Sequence, residues 1–161
     1  MQSPASSPGV GSEVKFVFTA VGQAGQDLQL QEVELFGPSG QLAVLSATNP
    51  GGKVYHDDHT PIWKVHDGYI TGNCWADTQL AGNVATSTLE LAFSSAVTFA
   101  AYDLFSGRTD DYCPPAGYPT SWQLFCKAST ADAHWSLVDT RTNVTAPASA
   151  KSSYSLSAGE G

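Results

Sequence analysis

The sequence predicts an all-β fold, an antiparallel sandwich or barrel of about eight or nine short strands. Several segments alternate apolar and polar side chains with a period of two, and turn-forming residues separate these segments. No window has the apolar spacing that an amphipathic helix requires. A chain of 161 residues is long enough to form one domain with a substantial core.

The first strands are predicted from this alternation. Residues 13–21 alternate large apolar side chains with smaller or polar ones, which predicts a half-buried strand. Residues 28–36 change phase at Gln31-Glu32, which indicates two short strands joined by a bulge or a bend. The turn sequence Gly37-Pro38-Ser39-Gly40 predicts a hairpin between the second of these strands and residues 41–45.

The rest of the chain contains further predicted strands and two long segments without a regular pattern. The strands lie at residues 88–93, 96–104, 120–128, 134–141 and 152–156. Residues 46–61 and 106–119 have no regular pattern, and loops of this length are usually functional or disordered. We therefore expect ligand-contacting residues in these two segments.

An Asp-Gly pair lies between the two halves, in the segment from Val65 to Trp75. Asp67 can hydrogen-bond to its own backbone and Gly68 accepts a positive φ, so the pair predicts a tight turn. Trp75 then supplies a large apolar side chain that anchors the turn to the core.

The acidic composition excludes some classes of partner. Seven Lys and Arg against fifteen Asp and Glu give a formal net charge of −8, which argues against nucleic-acid binding. The same balance disfavours adsorption to an anionic membrane, and no apolar run has the length of a membrane span.

The ends of the chain have the composition of linkers. We divide the chain into a flexible Ser/Pro-rich segment at residues 1–12, a single β domain at residues 13–157 and a flexible tail at residues 158–161. The N-terminal segment has neither the basic head nor the apolar middle of a secretory signal. This organisation suggests a module of a larger protein or complex, or a mature chain whose targeting segment has been removed.

Three cysteines are too few for a disulfide scaffold and lack the paired spacing of a zinc site. If one pair is bridged, we expect Cys113 with Cys126, because they close a Pro-rich loop between two predicted strands. The alternative is that Cys74, Cys113 and Cys126 are all buried thiols in a reducing compartment. The triplet Asn143-Val144-Thr145 matches the N-glycosylation rule, which is informative only in a secreted protein.

Seven segments carry a family resemblance through their order and spacing: residues 15–20, 28–36, 47–52, 65–75, 97–102, 121–124 and 134–141. Together they resemble the discoidin-like family, which includes the coagulation-factor type C domains and related carbohydrate-binding modules. The resemblance spans residues 14–156 and implies a galactose-binding-type β-sandwich with a jelly roll. The loops before Trp122 and before residue 134 depart from the family pattern, so the ligand is not inherited from it.

The tryptophans divide into two groups. Trp75, Trp122 and Trp135 lie in apolar strand phases, so we expect them to fill the core between two sheets. Trp63 lies in a Pro-containing loop, which makes it a candidate for an exposed, functional ring.

The family resemblance also implies a calcium site. Such domains often hold Ca²⁺ with loop carbonyls and the Asp of the Asp-Gly turn, so Asp67 with the backbone oxygens of residues 68–71 is the expected ligand set. The cluster His56-Asp57-Asp58-His59 offers further metal-binding groups, but adjacent residues converge poorly. We interpret this cluster as a solvated polar loop, with a metal or ligand contact as the alternative.

No catalytic arrangement is recognisable, so the chain is not expected to be an enzyme. The first hypothesis is a non-catalytic module that binds a glycan or polysaccharide through loops at one end of the sandwich. The expected ligand-binding residues are Tyr55, His56, His59, Trp63, Tyr69, Tyr112 and Tyr118. The alternative is a protein-interaction or structural module that docks onto a larger assembly through the same loops. We expect an extracellular or cell-surface location, with organellar and intracellular locations left open.

Overall fold

The computed structural model describes residues 9–23, 25–53, 62–68, 74–79, 86–106, 117–129, 131–145 and 151–156. The strands in this part of the chain are β1 (Gly9–Val21), β2 (Leu28–Leu30), β3 (Glu32–Gly37), β4 (Gly40–Leu42), β5 (Ser46–Thr48), β6 (Trp75–Asp77), β7 (Ser87–Phe99), β8 (Ala101–Phe105), β9 (Pro119–Lys127), β10 (Ser136–Arg141) and β11 (Lys151–Ser155). A short 3₁₀ helix spans Ile62–His66. None of the described helical residues forms a segment long and apolar enough to cross a membrane.

The strands form three antiparallel sheets, which confirms the predicted all-β class. The five-stranded sheet has the order β10-β9-β1-β7-β5, the four-stranded sheet has the order β11-β8-β3-β4, and β2 pairs with β6. Aromatic rings from the two larger sheets contact each other, with centroids 5.3 Å apart for Phe16 and Tyr102 and 5.1 Å apart for Trp122 and Tyr154. This arrangement is consistent with a β-sandwich, and the jelly-roll connectivity stays a prediction.

The central strand β1 explains the position of the core. Val14, Phe16 and Phe18 are fully buried, as their alternation predicts, and β1 pairs with both β7 and β9. The strand begins at Gly9, earlier than the predicted start at residue 13. A Cβ at Gly9 would overlap the Phe99 ring, so the absence of a side chain lets this end of β1 approach the sheet closely.

The predicted change of phase at Gln31-Glu32 is confirmed. β2 ends at Leu30 and β3 begins at Glu32, and the two strands belong to different sheets. Gln31 N donates a hydrogen bond to Phe105 O at 2.8 Å, which holds the bend against β8. The bend therefore lets Leu30 and Val33 both face the core although they are three positions apart.

The predicted strands at residues 88–93 and 96–104 imply a turn at Ser94-Ser95 between them, and this turn is wrong. β7 continues to Phe99, and its pairing with β1 shifts register between Gly11 and Glu13. The change of sheet occurs instead at Ala100, whose N donates to Phe36 O at 2.8 Å and whose O accepts from Leu156 N at 2.7 Å. A bulge accommodates the serines without ending the strand.

Two of the three predicted core tryptophans are buried. Trp75 and Trp122 are almost completely buried, whereas Trp135 is only half-buried, so the prediction for Trp135 is wrong. Lys15 Nζ lies 4.5 Å and Lys127 Nζ 4.8 Å from the Trp135 ring centroid. These lysines lie on the face of the five-stranded sheet that is turned away from the core, and we call this face the outer face.

The predicted cysteine pairing is also wrong. Cys74 is disulfide-bonded, whereas Cys126 has a free thiol. Cys126 follows Trp122 and Leu124 in the alternation of β9, so its side chain faces the core and its Sγ lies 3.5 Å from Val10 O. Cys113 lies outside the described residues.

Candidate functional site

The 3₁₀ helix and the Asp-Gly turn form one wall of the candidate site. Val65 is fully buried and anchors the helix, which contacts β3, β5 and β6. Gly68 has a φ of +83°, so the predicted turn at Asp67-Gly68 is confirmed. The turn begins directly after the helix ends at His66.

Trp63 is the exposed aromatic residue of this helix. Its relative exposure is 52%, which is high for a ring of this size. Side chains three positions apart eclipse each other in a 3₁₀ helix, so Trp63 and His66 project from the same side of it. Lys64 Nζ lies 4.7 Å from the centroid of the Trp63 ring.

A cleft of about 230 Å³ lies beside the turn. Its lining comes from β3, from β4 and the residues that follow β4, and from the helix and turn: Glu32, Val33, Gln41, Leu42, Ala43, Val44, His66 and Gly68. Polar groups from three parts of the chain therefore converge beside an apolar surface, which is typical of small ligand sites.

Glu32 is a buried acidic residue in the lining of the cleft. Only 3% of the residue is exposed, and its carboxyl group accepts a hydrogen bond from Gly68 N at 3.3 Å. The pKa of Glu32 is raised to about 8, chiefly by burial. The hydrogen bond from Gly68 N lowers this pKa, and the hydrogen bond to the Asp67 side chain raises it. At neutral pH Glu32 is therefore protonated and donates a hydrogen bond to the Asp67 carboxylate.

Sequence reasoning did not identify this carboxyl pair. Glu32 and Asp67 are distant in sequence and belong to different elements, so no spacing rule connects them. The change of phase at Gln31-Glu32 was the one local signal that β3 begins in an unusual environment.

The expected calcium ligand Asp67 lies in the described part of the chain, and its carboxylate is hydrogen-bonded to Glu32. Within the described ranges, no group of three or more His, Cys, Asp or Glu residues could hold a metal ion. Residues 69–71, which would supply most of the expected carbonyl ligands, lie outside those ranges. Calcium binding by Asp67 stays a prediction.

Asp77 holds part of the first predicted binding loop, at Asn49 and Lys53. It is fully buried and accepts hydrogen bonds at 3.0 Å from Asn49 Nδ2, Lys53 N and Gln79 N, and another from Ser87 Oγ. These bonds join the segment after β5 to β6 and β7. The Asp77 side chain therefore holds the chain at Lys53 beside the end of β6.

The segment before Lys53 is a β-turn of recognisable type. Gly52 N donates to Asn49 O at 3.1 Å, and Gly51 has a φ of +71°. Pro50 and Gly51 occupy the two central positions, as a type II turn favours.

The remaining predicted ligand-binding residues have different outcomes. Tyr55, His56, His59, Tyr69 and Tyr112 lie outside the described residues, as does the rest of the cluster at 56–59. The expectation that Tyr118 is an exposed loop residue is wrong, since it is fully buried.

Tyr118 is buried because the segment that carries it packs between the sheets. Its hydroxyl lies 3.1 Å from the Tyr154 hydroxyl, and its O accepts a hydrogen bond from Gly22 N at 2.9 Å. A Cβ at the preceding Gly117 would lie 2.5 Å from Asp27 O, so only glycine permits this close approach.

A scan against protein-family models and searches of curated proteins and of solved structures found no match to this chain.

Proposed function

We propose that this chain is a non-catalytic module that binds carbohydrate in the cleft beside Trp63. The observation that carries the proposal is the exposed Trp63 ring on the same side of the 3₁₀ helix as His66, which lines the cleft. The ring of a core tryptophan is already covered by protein. The exposed Trp63 ring leaves a large apolar surface in water, which a bound ligand can cover.

The chemistry of the cleft fits a sugar. The apolar face of a pyranose ring stacks on an indole, and its hydroxyls bond to side chains that can donate and accept. Gln41 and His66 supply such groups within the cleft. A volume of about 230 Å³ is slightly smaller than the pockets of roughly 300 Å³ and above that hold drug-sized ligands. The cleft therefore suits one sugar residue of a longer chain.

The carboxyl pair supports binding over hydrolysis. Glycoside hydrolases place two carboxyl groups roughly 5 Å or more apart, on opposite sides of the scissile bond. Glu32 and Asp67 are instead hydrogen-bonded to each other, so no sugar can lie between them. In our proposal the pair holds the turn at Gly68 in place. Tyr55, His56 and His59 lie outside the described residues, and their contact with the sugar stays a prediction.

The test is a glycan array probed with the full chain, with and without Ca²⁺, and with two tryptophan variants. Trp63→Ala should weaken binding to one glycan class by about tenfold or more, which corresponds to about 1.4 kcal/mol of lost stacking. Trp63→Phe should keep part of the affinity because it keeps a ring. Trp135→Ala is the matched control and should bind as the unaltered chain does, because Trp135 lies on the outer face of the other sheet.

Two results would contradict the proposal. One is a folded chain that binds no glycan on the array under either condition. The other is glycan binding that Trp63→Ala leaves unchanged. Loss of binding on removal of Ca²⁺ would support the predicted role of Asp67 in addition.

The alternative function is docking onto a partner protein, and the outer face favours it. Leu137 is 53% exposed and pairs in register with Phe125, next to the half-buried Trp135. Exposed apolar side chains grouped in this way often mark protein interfaces. A Leu137→Asp variant that keeps glycan binding but loses a purified partner would separate the two functions.

A further inference from the structure

The triplet Asn143-Val144-Thr145 follows β10, and the structure describes all three residues. The main chain of the triplet is held to the start of β9. Asn143 N donates to Ser121 Oγ at 3.1 Å, and Val144 N donates to Thr120 O at 2.8 Å. Val144 packs against the core, whereas Asn143 and Thr145 are exposed.

The backbone conformation and the surroundings of Asn143 leave its side-chain amide accessible. Its φ is 52°, and among the described residues it is the one non-glycine residue with a positive φ. Asparagine tolerates this conformation in turns. Within the described part of the chain, the side-chain amide of Asn143 makes no hydrogen bond, so Nδ2 faces solvent without a competing partner.

The disulfide at Cys74 supplies an independent observation. Disulfides form and persist in oxidising compartments such as the lumen of the secretory pathway, where Asn-x-Thr triplets are also modified. The free Cys126 does not conflict with this environment, because it is 7% exposed and faces the core.

We propose that Asn143 Nδ2 is an N-glycosylation site. The reaction joins Nδ2 to the anomeric carbon of an oligosaccharide and breaks the bond between that carbon and the phosphate of a lipid-pyrophosphate donor. The lipid pyrophosphate leaves with the bonding electron pair, and the amide loses one proton.

The position of Asn143 leaves the proposed sugar cleft open. Asn143 follows β10, an edge strand of the five-stranded sheet, and Arg141 Nη2 links this strand to Ser155 O of β11 at 3.0 Å. The cleft lies beside β4, which is the opposite edge of the four-stranded sheet from β11. A glycan at Asn143 would therefore be attached beside β11, at the opposite edge of the four-stranded sheet from β4 and the cleft. The proposal does not depend on carbohydrate binding by the cleft.

The test translates the full chain behind a cleavable secretory leader in the presence of microsomes, and only protease-protected chains are scored. The sequence contains this one Asn-x-Ser/Thr triplet, so we expect a single mobility shift that an amidase specific for Asn-linked glycans reverses. Asn143→Gln and Thr145→Ala should abolish the shift. Thr145→Ser is the matched control and should keep it, because it keeps the hydroxyl.

Protected chains that show no shift would overturn the proposal, and so would a shift that persists in Asn143→Gln. A second measurement addresses the folded state. The glycosylated protein secreted from a eukaryotic host should have the same circular dichroism and the same unfolding midpoint before and after enzymatic removal of the glycan. A glycosylated chain that is unfolded would also contradict the assignment, since the structure places Asn143 at the surface.

Discussion

At the residue scale, Glu32 illustrates how one buried group can connect stability to pH. Its carboxyl group bonds to Asp67 and to Gly68 N, and its pKa is raised to about 8 chiefly by burial. Because of this raised pKa, Glu32 stays protonated in the folded state at pH values at which it is ionised in the unfolded chain. The neighbouring Glu34, whose pKa burial and Asp103 also raise, acts in the same direction.

The stability of the chain should therefore fall as pH rises from about 4.5 to about 8. An unfolded glutamate ionises near the lower value and folded Glu32 near the upper one, so the unfolded state binds fewer protons in between. Glu32→Gln should flatten this dependence and raise the free energy of unfolding near the upper limit by a few kcal/mol, on the order of what one to three pKa units represent. Chemical denaturation across this pH range measures it.

Glu90→Gln is the matched control, because Glu90 lies on the outer face of the five-stranded sheet, opposite Lys15. It should keep the slope of the unaltered chain. Equal pH slopes in the Glu32→Gln variant and in the unaltered chain would refute the assignment of the protonated state to Glu32.

At the scale of elements, Asp77 connects three segments through one carboxylate. The side chain is fully buried at the end of β6, and its acceptors are used by the backbone at Lys53 and Gln79 and by the side chains of Asn49 and Ser87. Buried carboxylates are stable only when hydrogen bonds replace the lost water. Asp77 therefore ties the chain at Asn49 and Lys53 to β6 and to the start of β7.

Asp77→Ala should lower the free energy of unfolding by about 3 kcal/mol or more, because several buried donors lose their acceptor together. Hydrogen exchange should speed up at the amides of Lys53 and Gln79, both of which donate to Asp77. Asp132→Ala is the control, since Asp132 accepts a hydrogen bond from His134 N in an exposed turn and should change stability by less than about 1 kcal/mol. Comparable losses in the two variants would mean that Asp77 has no special role.

The edge strand β10 contains a register shift and a charged residue that points inward. Its pairing with β9 shifts register between Leu137 and Asp139, and Asp139 is a charged residue that points toward the core side. A bulge and an inward-pointing charge both discourage another chain from pairing with an exposed edge. The proposed glycan at Asn143, just beyond this strand, would add to the same protection.

At the scale of the whole molecule, a partly buried polar network joins the two larger sheets. Trp122 Nε1 donates to the Tyr102 hydroxyl at 2.9 Å, and that hydroxyl donates to Asp139 Oδ2 at 2.6 Å. Arg141 Nε bonds to the same carboxylate oxygen at 3.0 Å, and its Nη2 reaches Ser155 O at 3.0 Å. The network therefore connects β9 and β10 with β8 and β11.

Tyr102→Phe should lower the free energy of unfolding by about 1–3 kcal/mol, because Trp122 Nε1 then loses its buried acceptor. Removing both partners should cost less than the sum of the single changes, so a double-mutant cycle with Asp139→Asn measures the coupling. Additive effects would show that the two side chains do not act together.

The disulfide is the second feature that acts on the whole chain. Cys74→Ala should lower the free energy of unfolding by about 2–4 kcal/mol, since the cross-link restricts the unfolded chain. Cys126→Ala is the matched control, because it removes a buried thiol but no cross-link. The stability of this variant should therefore remain sensitive to a reducing agent, as that of the unaltered chain is. Sensitivity to reduction that persists in the Cys74→Ala variant would contradict the assignment.

The all-β class, most strands and the bend at Gln31-Glu32 were predictable from the sequence alone, because these features depend on alternation and on local turn chemistry. It also identified the turn at Asp67-Gly68 and the hairpin closed by Gly37 and Gly40. Strands of three residues, such as β5 and β6, carry too little pattern to be recognised in this way.

The burial of several aromatic rings and the contacts between distant residues could not be predicted from the sequence. Trp135 lies in an apolar strand phase and Tyr118 in a predicted loop, yet the Trp135 ring is half-exposed over two lysines and Tyr118 is fully buried. The cysteine in the disulfide, the pairing of Glu32 with Asp67 and the convergence of β3, β4 and the 3₁₀ helix around the cleft likewise join distant positions. The physical reason is that burial and contact are properties of packed elements, whereas periodicity reports only the shape of each element alone.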